Sequence, residues 1–405
     1  MQQNKNTPSI RFAGFTGAWE QRRLGDFCKI DIGEFVIKTK QRDDAPYPVY
    51  NGGASYTGFY DEFNQDGKKV IISARGANAG FVNKCATPYW AGNSCYSIGV
   101  LDDTDWIFLY HAIKHVQLSF IKGQQSANIP SVSKEQVQKT EVASPNSQEQ
   151  QKIATLLEDI DTLITLHQRK YDQLVNIKKS MLEKMFPKNG ETVPEVRFAG
   201  FTDAWEQRKI GDLCQRTTGG GTPRTGVSEY WNGEIPWFQS SDFKDGIVTL
   251  QSSNKHISQE GLHKSAAQLI PRESIAIVAR VGFGKLSLIP FQYTTSQDIL
   301  SLSNLTIDPL YGVYTIYKKL QSELMSVQGT SIKGVTKDDL LAKDISVSPN
   351  DTEQRKIGLF FHNLDDLITL HQREFSHTKP NTNYVKYYQR NRPLLYILCT
   401  VDKSV

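Results

Sequence analysis

Apolar residues recur at seven-residue spacing from residue 147 to residue 186. Sustained heptads of this kind predict a long helix that packs against another helix as in a coiled coil. About 37 residues at ~1.5 Å each make a rod of roughly 55 Å, long enough to separate two globular regions. One stripe contains Ile153, Ile160, His167, Leu174 and Met181; a second contains Leu156, Leu163, Lys170, Ile177 and Lys184; Leu157, Ile164, Tyr171 and Met185 lie beside them.

A second copy of this helix begins at residue 351. Asn146 followed by Glu149 predicts an N-cap with its capping partner, and Asn350 followed by Glu353 repeats the pattern. Because both helices carry an apolar stripe, we expect them to pair as an antiparallel coiled coil that spaces the flanking regions. The stripe of the second helix contains Ile357, Leu364 and His371, with Phe360, Phe361, Leu367 and Ile368 beside it.

His167 and His371 occupy matching seam positions in the two helices. As a pair they could bind a metal ion or respond to pH. They could equally be polar seam residues that fix the register of the helix pair, and this is the interpretation that we favour.

The ends of two long segments are nearly copied within the chain. Residues 10–28 and 196–214 agree at 14 of 19 positions, and residues 144–169 and 348–373 agree at 15 of 26. Between these ends the two middle segments, 29–143 and 215–347, share only scattered echoes. Duplication followed by drift is one explanation, but drift should blur the ends and the middles alike. The pattern favours a shared scaffold with a pseudo-twofold internal repeat that holds two interchangeable recognition units.

Each middle segment alternates short β-type runs with turns and one helical stretch. This arrangement predicts two mixed units, of the α/β (α+β) class. The predicted strands include residues 69–73, 95–100, 274–279 and 286–289, and the predicted helices are residues 103–121 and 309–325.

Three polar clusters stand out in these segments, and their residues are candidate ligand contacts with side chains of the kinds that contact nucleic acid. Arginine, glutamine and asparagine can pair with base edges, whereas lysine, hydroxyl groups and glycine amides hold phosphates. Each cluster could also be an ordinary turn, but their matching places in both halves favour a shared ligand surface. We expect Trp231 and Trp237 to anchor the core or a loop rather than to stack on bases. The candidate contacts are Arg75, Asn78, Gln124, Gln125, Asn128, Thr222, Arg224, Thr225, Arg280, Lys285, Thr330, Ser331 and Lys333.

Composition narrows the class of protein without deciding it. The 405 residues include 39% hydrophobic and 22% charged residues, and the net charge of +4 permits nucleic-acid binding without demonstrating it. The five scattered cysteines form no Cys-x-x-Cys pair, and no apolar run is long enough for a membrane span. The sequence contains no Pro-Pro, no phosphate-binding loop and no metal-site spacing. We therefore expect a cytoplasmic, non-catalytic protein that binds no metal or cofactor.

The repeated opening, Arg-Phe-x-Gly-Phe-x-x-x-Trp-Glu, resembles that of type I restriction-modification specificity subunits. The Gly-Gly-Thr-Pro stretch with residues 230–237 and the two Glu-Gln-x-Lys-Ile helices share the resemblance, which covers residues 10 to about 375. It implies two target-recognition domains that each read half of a bipartite sequence in double-stranded DNA. It also implies docking of two modification (methyltransferase) subunits, which use S-adenosylmethionine to methylate adenine, and of restriction/translocase subunits that use ATP and Mg²⁺.

On this resemblance, the helix stripes serve as spacer and subunit-docking surface. The residues assigned to this role are Ile153, Leu156, Ile160, Leu163, His167, Tyr171, Leu174, Ile357, Leu364 and His371. A stand-alone bipartite repressor without modification partners remains an alternative, and a hydrolase with an unrecognised site is another.

The expected division of the chain follows the copied ends. The heptad pattern stops after Phe375, and we hypothesise that a frameshift or recombination introduced the tail that follows. A shortened second helix would leave part of the first stripe unpaired. The expected segments are a first target-recognition domain (1–146), a spacer helix (147–195), a second target-recognition domain (196–350), a shortened second helix (351–378) and an atypical tail (379–405).

Overall fold

The computed structural model describes residues 8, 10–122, 130–188, 190–280, 282–326 and 335–378. These residues form two compact units, one that ends at Thr165 and one that covers Leu166–Thr378. The tail and six candidate contacts lie outside the described residues, so those assignments stay predictions. The six contacts are Gln124, Gln125, Asn128, Thr330, Ser331 and Lys333.

The first unit combines a four-stranded antiparallel sheet in the order β2-β8-β5-β6 with a three-stranded sheet in the order β4-β3-β7. The helix α2 packs on the larger sheet. The elements are β1 (Glu20–Arg23), α1 (Leu24–Phe27), β2 (Cys28–Ile32), a 3-10 turn (Lys38–Lys40), β3 (Tyr47–Tyr50), β4 (Gly58–Tyr60), β5 (Lys69–Ser73), β6 (Val82–Cys85), β7 (Trp90–Ala91), β8 (Cys95–Val100), α2 (Trp106–Lys122), α3 (Lys134–Lys139), β9 (Glu141–Ser144) and the start of α4 (Ser147–Lys184).

The second unit repeats this plan with a four-stranded sheet, β11-β17-β14-β15, and a three-stranded sheet, β13-β12-β16. It begins within α4. The further elements are β10 (Glu206–Lys209), a 3-10 turn (Ile210–Leu213), β11 (Cys214–Gly219), 3-10 turns (Ser228–Tyr230 and Ser240–Asp242) around β12 (Trp231–Phe238), β13 (Lys255–Ile257), α5 (Gln259–His263), β14 (Ser274–Val278), β15 (Leu286–Ile289), β16 (Thr294–Thr295), β17 (Ile299–Leu305), α6 (Pro309–Ser326), α7 (Lys337–Leu341), β18 (Asp344–Val347) and α8 (Asp351–Thr378).

The two units share one topology even where their sequences differ. A buried tyrosine shows this in detail: the hydroxyl of Tyr89 donates to Ser97 Oγ at 2.8 Å, and that of Tyr293 lies 3.0 Å from Ser301 Oγ. Each tyrosine precedes its serine by eight residues and lies at the same place in its sheets. Each unit therefore has the expected mixture of α and β elements, and their shared topology confirms the predicted internal repeat.

The copied ends of each unit meet in a two-stranded antiparallel sheet. β1 pairs with β9, so that Glu20 lies opposite Ser144, and β10 pairs with β18, so that Glu206 lies opposite Val347. The chain therefore enters and leaves each middle segment at the same place. Because of this closure, the segment between the paired strands can change in length without changing how the ends connect.

A buried ion pair joins each copied opening to the start of the following long helix. Arg11 binds Glu149 through two hydrogen bonds of 2.6 Å, and Arg197 binds Glu353 through bonds of 2.6 and 2.9 Å. Both glutamate side chains are fully buried. A buried carboxylate needs a matched cation, and the planar guanidinium supplies one with two parallel donors.

These contacts refine the predicted helix caps. Asn146 Oδ1 accepts a hydrogen bond from the Glu149 amide at 2.9 Å, and Asn350 Oδ1 accepts one from the Glu353 amide at 3.1 Å. The N-caps are therefore confirmed. The assignment of the glutamates as capping partners was wrong, because their carboxylates bind the arginines of the copied opening instead.

The glutamine after each glutamate secures two further segments. Gln150 donates to Pro145 O at 2.9 Å and accepts from the amide of Asp105 at 3.0 Å. Gln354 likewise donates to Ser348 O at 2.8 Å and accepts from the amide of Asp308 at 2.9 Å. The copied Glu-Gln dipeptide thus connects the opening, the closing strand and the start of α2 or α6.

Within the second unit, the last part of α4 runs antiparallel to α8. His167 faces His371 with their Nδ1 atoms 3.0 Å apart, and further along α4 Lys178 forms an ion pair with Asp365. As the residue numbers rise along α4 they fall along α8, which defines the antiparallel direction. The expected helix pairing and the seam positions of both histidines are confirmed.

Two apolar members of the second predicted stripe of α4 do not lie in the buried face. Leu163 and Ile177 belong to that stripe, yet their side chains are 54% and 44% exposed. Lys178 is buried instead, and Leu157, Ile164 and Tyr171 on the same flank are half-buried. Apolar residues spaced alternately by three and four positions, starting with either, fit the pattern of α4. Only the surface of the partner helix decides which flank of α4 is buried.

We expect Glu353→Gln to lower the free energy of unfolding by about 3 kcal/mol, because Arg197 would keep a largely buried charge without its carboxylate. Urea unfolding followed by tryptophan fluorescence measures the loss. Glu206→Gln is the matched control, since Glu206 pairs with Arg208 at the surface and should cost less than about 1 kcal/mol. Equal losses for the two variants would contradict the assigned role.

Candidate nucleic-acid interface

Each four-stranded sheet ends in a hairpin loop that presents an exposed arginine. Arg75 lies in the loop between β5 and β6, and Arg280 lies in the loop between β14 and β15 with its side chain 65% exposed. Gly76 and Gly282 adopt φ values of 90° and 91°, a conformation that side-chain-bearing residues rarely take. A glycine one or two residues after each arginine therefore shapes the turn that carries it.

The segment that follows each undescribed loop pairs with the same hairpin. The Val132 amide donates to Ala74 O at 2.8 Å, and the Val335 amide donates to Ala279 O at 2.7 Å. Arg75 also forms an isolated β-bridge with Ser131. The described segments at Ser131–Val132 and Val335 thus pair with the hairpins of Arg75 and Arg280, at matching places in both units.

The Gly-Gly-Gly-Thr-Pro loop of the second unit is held by both tryptophans. Trp237 Nε1 donates to Gly221 O at 3.1 Å, and Trp231 Nε1 donates to Arg224 O at 3.2 Å. Trp237 is buried and Trp231 is half-buried. The predicted role of these tryptophans as loop anchors is confirmed.

Gly220 allows this loop to approach the β16–β17 turn closely. A Cβ atom at Gly220 would lie 2.2 Å from Ser296 O and from Thr295 Oγ1, closer than real Cβ contacts allow. At Gly219, by contrast, a Cβ atom would meet nothing within 4 Å. The amide of Gly221 then donates to Thr295 O at 2.8 Å, which fixes the loop against the sheet.

A cleft of about 570 Å³ opens between the glycine-rich loop and the hairpin loop that follows β14. It brings together the predicted residues Thr222, Thr225 and Lys285, while Arg224 is exposed on the same loop. The sequence reasoning missed the other polar residues of the lining, because they come from separate elements without a shared motif. These residues are Gln239, Ser240, Ser241, Lys255, Ser296, Gln297 and Asp298.

Hydrogen bonds and charges orient the lining groups. Thr222 Oγ1 lies 2.7 Å from Gln297 Oε1, and Arg280 lies 3.8 Å from Asp298. Lys255 Nζ lies 5.7 and 5.5 Å from the ring centroids of the two tryptophans. The cleft therefore offers cations for phosphates together with amide and carboxylate groups that can pair with base edges.

The first unit places different chemistry at matching positions. The Glu34 amide donates to Ala91 O at 2.8 Å, the bond that Gly221 makes in the second unit. The next residue is Phe35, 74% exposed, where the second unit has Thr222. Arg75 and Asn78 are both exposed on the hairpin loop. The two units therefore present different surfaces on one framework.

Burial raises the pKa of several titratable groups in the first unit. Burial raises the pKa of Tyr96, which donates to Val132 O beside the Arg75 loop. Burial also raises the pKa of the Cys28 and Cys95 thiols to about 12, which keeps both protonated at neutral pH.

In the part of the chain that the structure describes, no group of three or more His, Cys, Asp or Glu residues could hold a metal ion. No described helix is long and apolar enough to cross a membrane.

We expect Gly220→Ala to displace the glycine-rich loop, because the added methyl group would collide with backbone and side-chain oxygens of the neighbouring turn. In a protein labelled with nitrogen-15 at tryptophan, the indole signals of Trp231 and Trp237 should shift or broaden. Gly219→Ala is the matched control and should leave both signals in place. Unchanged signals in both variants would show that the close approach does not position the loop.

Comparisons with known proteins extend over most of the chain. Residues 17–176 and 202–376 match the family model of the type I restriction modification DNA specificity domain. The specificity subunit of the type I restriction enzyme MjaIX of Methanocaldococcus jannaschii is 28% identical over 169 residues, 40% of this chain and 38% of that protein. The EcoR124I/EcoR124II specificity subunit of Escherichia coli is 31% identical over 170 residues, 40% of this chain and 41% of that protein.

A solved structure shares the fold. The crystal structure of the S subunit of a type I restriction-modification system from M. genitalium has a TM-score of 0.64 and 16% identity, covering 92% of this chain and 96% of that chain. The alignments with the two sequence relatives span about two fifths of each relative's length. The family model, however, matches both copies of the repeat. The chain belongs to the type I restriction modification DNA specificity domain family.

Proposed function

We propose that the chain recognises DNA for a type I restriction-modification complex, with each unit reading one half of a bipartite target. The family match in both units is the observation that carries the proposal. The matched hairpin loops support it, because both present an arginine, followed within two residues by a glycine, at the same place in the fold. Different residues at matching positions, such as Phe35 and Thr222, suit two units that read different sequences.

The second unit offers the more completely described reading surface. Lys285 supplies a cation to the cleft, and Arg280 lies beside its lining residue Asp298, while Thr222 and Thr225 supply hydroxyl groups. Asp298 can accept a hydrogen bond from a cytosine amino group, whereas the cations suit guanine edges or phosphates. In this proposal the cleft faces the DNA.

The long helices would dock two modification (methyltransferase) subunits. Leu163 and Leu166 on α4 are each 54% exposed, and the residues at the same places in the copied helix, Leu367 and Leu370, are 44% and 50% exposed. Exposed apolar pairs at matching positions suit two copies of one partner. The residues assigned to docking from the sequence remain proposals, and Leu163 suits this role better than the seam.

The reactions of the complex would then belong to other chains. Modification subunits would hold S-adenosylmethionine, and restriction/translocase subunits would use ATP and Mg²⁺. This chain would contribute the choice of site by holding its loops against base edges and phosphates.

We expect Arg280→Ala to alter recognition of only one half-site, at a cost of about 1–3 kcal/mol if the arginine pairs with a base. Mapping of methylated adenines in a host that expresses the chain with modification subunits measures the effect. Arg272→Ala is the matched control, since Arg272 is 73% exposed beside Glu273 and away from the cleft. Loss of both half-sites together would contradict independent reading.

We expect Leu367→Asp combined with Leu370→Asp to weaken binding of a modification subunit about tenfold or more, because carboxylates would enter an apolar contact. Titration calorimetry with the purified modification subunit measures the affinity. Ile247→Asp is the control, since Ile247 is also apolar and 41% exposed but lies outside the helices. Unchanged affinity in the double variant would exclude this face as the docking surface.

A further inference from the structure

In the second unit, the end of α4 fills a socket of aromatic side chains. The Phe186 ring lies 5.9 Å from Trp205, 6.1 Å from Tyr311 and 5.8 Å from Phe361, measured between ring centroids. All four side chains are at most 4% exposed. Leu174, Leu182 and Met185 belong to the same buried cluster.

An ion pair accompanies this packing. Lys178 binds Asp365 Oδ1 and lies 5.7 Å from the centroid of the Tyr314 ring, while the Tyr314 hydroxyl donates to Asp365 Oδ2 at 2.6 Å. The side chains of the lysine and the aspartate are only 10% and 18% exposed. The segment from Leu174 to Phe186 therefore contributes both apolar contacts and a matched charge.

The first unit repeats the receiving side of this contact. Leu157 and Asp161 occupy the copied helix positions, and the amide of Phe108 donates to Asp105 at 2.9 Å, as that of Tyr311 does to Asp308. We call the following residues the first-unit socket: Trp19 for Trp205, Phe108 for Tyr311, His111 for Tyr314, Leu157 for Phe361 and Asp161 for Asp365.

The first-unit socket is less covered than its counterpart. Trp19 and Leu157 are half-buried, whereas Trp205 and Phe361 are at most 2% exposed. Among the described residues, the apolar cluster around Phe108 contains no residue that follows Ala154 in the sequence. Nothing equivalent to the segment from Leu174 to Phe186 therefore belongs to this cluster.

The charge of the socket is also open to a partner. Asp161 lies 3.1 Å from Lys84 and 3.7 Å from His111, and both contacts use Oδ2. Its side chain is still 42% exposed, compared with 18% for Asp365, which gives its Oδ1 to Lys178. An incoming lysine would therefore find an accessible carboxylate oxygen.

The matching positions of this chain's own second helix lack the required side chains. The residues that correspond to Leu174, Lys178, Leu182, Met185 and Phe186 at the repeat offset of 204 are Thr378, Thr382, Lys386, Gln389 and Arg390. None of these is apolar, and the one at the lysine position is a threonine. The sequence of this chain therefore offers no equivalent segment for the first-unit socket.

We infer that the first-unit socket accepts, in trans, a helix from another polypeptide with the pattern of residues 174–186. That pattern is a leucine, a lysine four residues later, a leucine after four more, and then Met-Phe. The second unit shows how such a helix sits. In the first-unit socket, Asp161 keeps its Oδ1 for the incoming lysine while its Oδ2 contacts Lys84 and His111. The inference does not depend on DNA reading, so it can fail while the proposed function stands.

A labelled peptide of residues 170–188 that carries Asn176→Lys tests the inference. A lactam between the Asp172 carboxylate and the introduced amine, on the exposed face, holds the helix. Fluorescence anisotropy with the full chain should show saturable binding. Phe186→Ala in the peptide, or Asp161→Lys in the chain, should weaken binding about tenfold or more. Asp159→Lys is the matched control on the same helix and should bind as the unchanged chain does. A peptide with Lys178→Glu should recover affinity for the Asp161→Lys chain.

A photo-crosslinking group in place of Phe186 locates the bound peptide. Cross-links to the region of Trp19 and Leu157 are expected. Absence of saturable binding, equal binding by the two chain variants, or cross-links only within the second unit would overturn the inference. The last result would mean that the peptide displaces the chain's own segment instead of filling the first-unit socket.

Discussion

A guanidinium and a carboxylate lie buried against each other at the start of each long helix. Glu149 and Glu353 are fully buried, so each needs its arginine, and each arginine needs its carboxylate. Replacing one partner leaves a buried charge that costs several kcal/mol, so the two must change together or not at all. This constraint accounts for the arginine and the glutamate that the two copied openings and the two copied helix starts share.

The pairing of β1 with β9 and of β10 with β18, which we call the closed frame, also explains how one fold can present two different loop surfaces. Each opening strand pairs with the closing strand of the same unit, so the frame is independent of the segment between them. Loops at the ends of the sheets can then differ, as Phe35 and Thr222 do, without loss of the frame. The description of the family as a DNA specificity domain fits the proposed use of such variation, the recognition of different DNA sequences.

Much of the fold could be predicted from local pattern. The helix predicted over 147–186 spans Ser147–Lys184, and the strands at Lys69–Ser73, Cys95–Val100 and Leu286–Ile289 have the predicted bounds. Heptads, N-cap residues and β-branched runs act over a few residues, so they can be read without knowing the partner surface. The repeat then showed that two such units exist.

The sequence by itself determined the repeat, the elements, the helix caps and the loops that present Arg75, Arg280 and Thr222. Only the tertiary structure decided that α4 buries the flank of Lys178 and leaves Leu163 exposed, that Glu149 binds Arg11, and that Lys255, Gln297 and Asp298 line one cleft. The physical reason is the distance along the chain over which each kind of interaction acts. Propensity and periodicity act between neighbours along the chain. Burial, ion pairing and the lining of a cleft join groups from tens to well over a hundred residues apart, which no local pattern records.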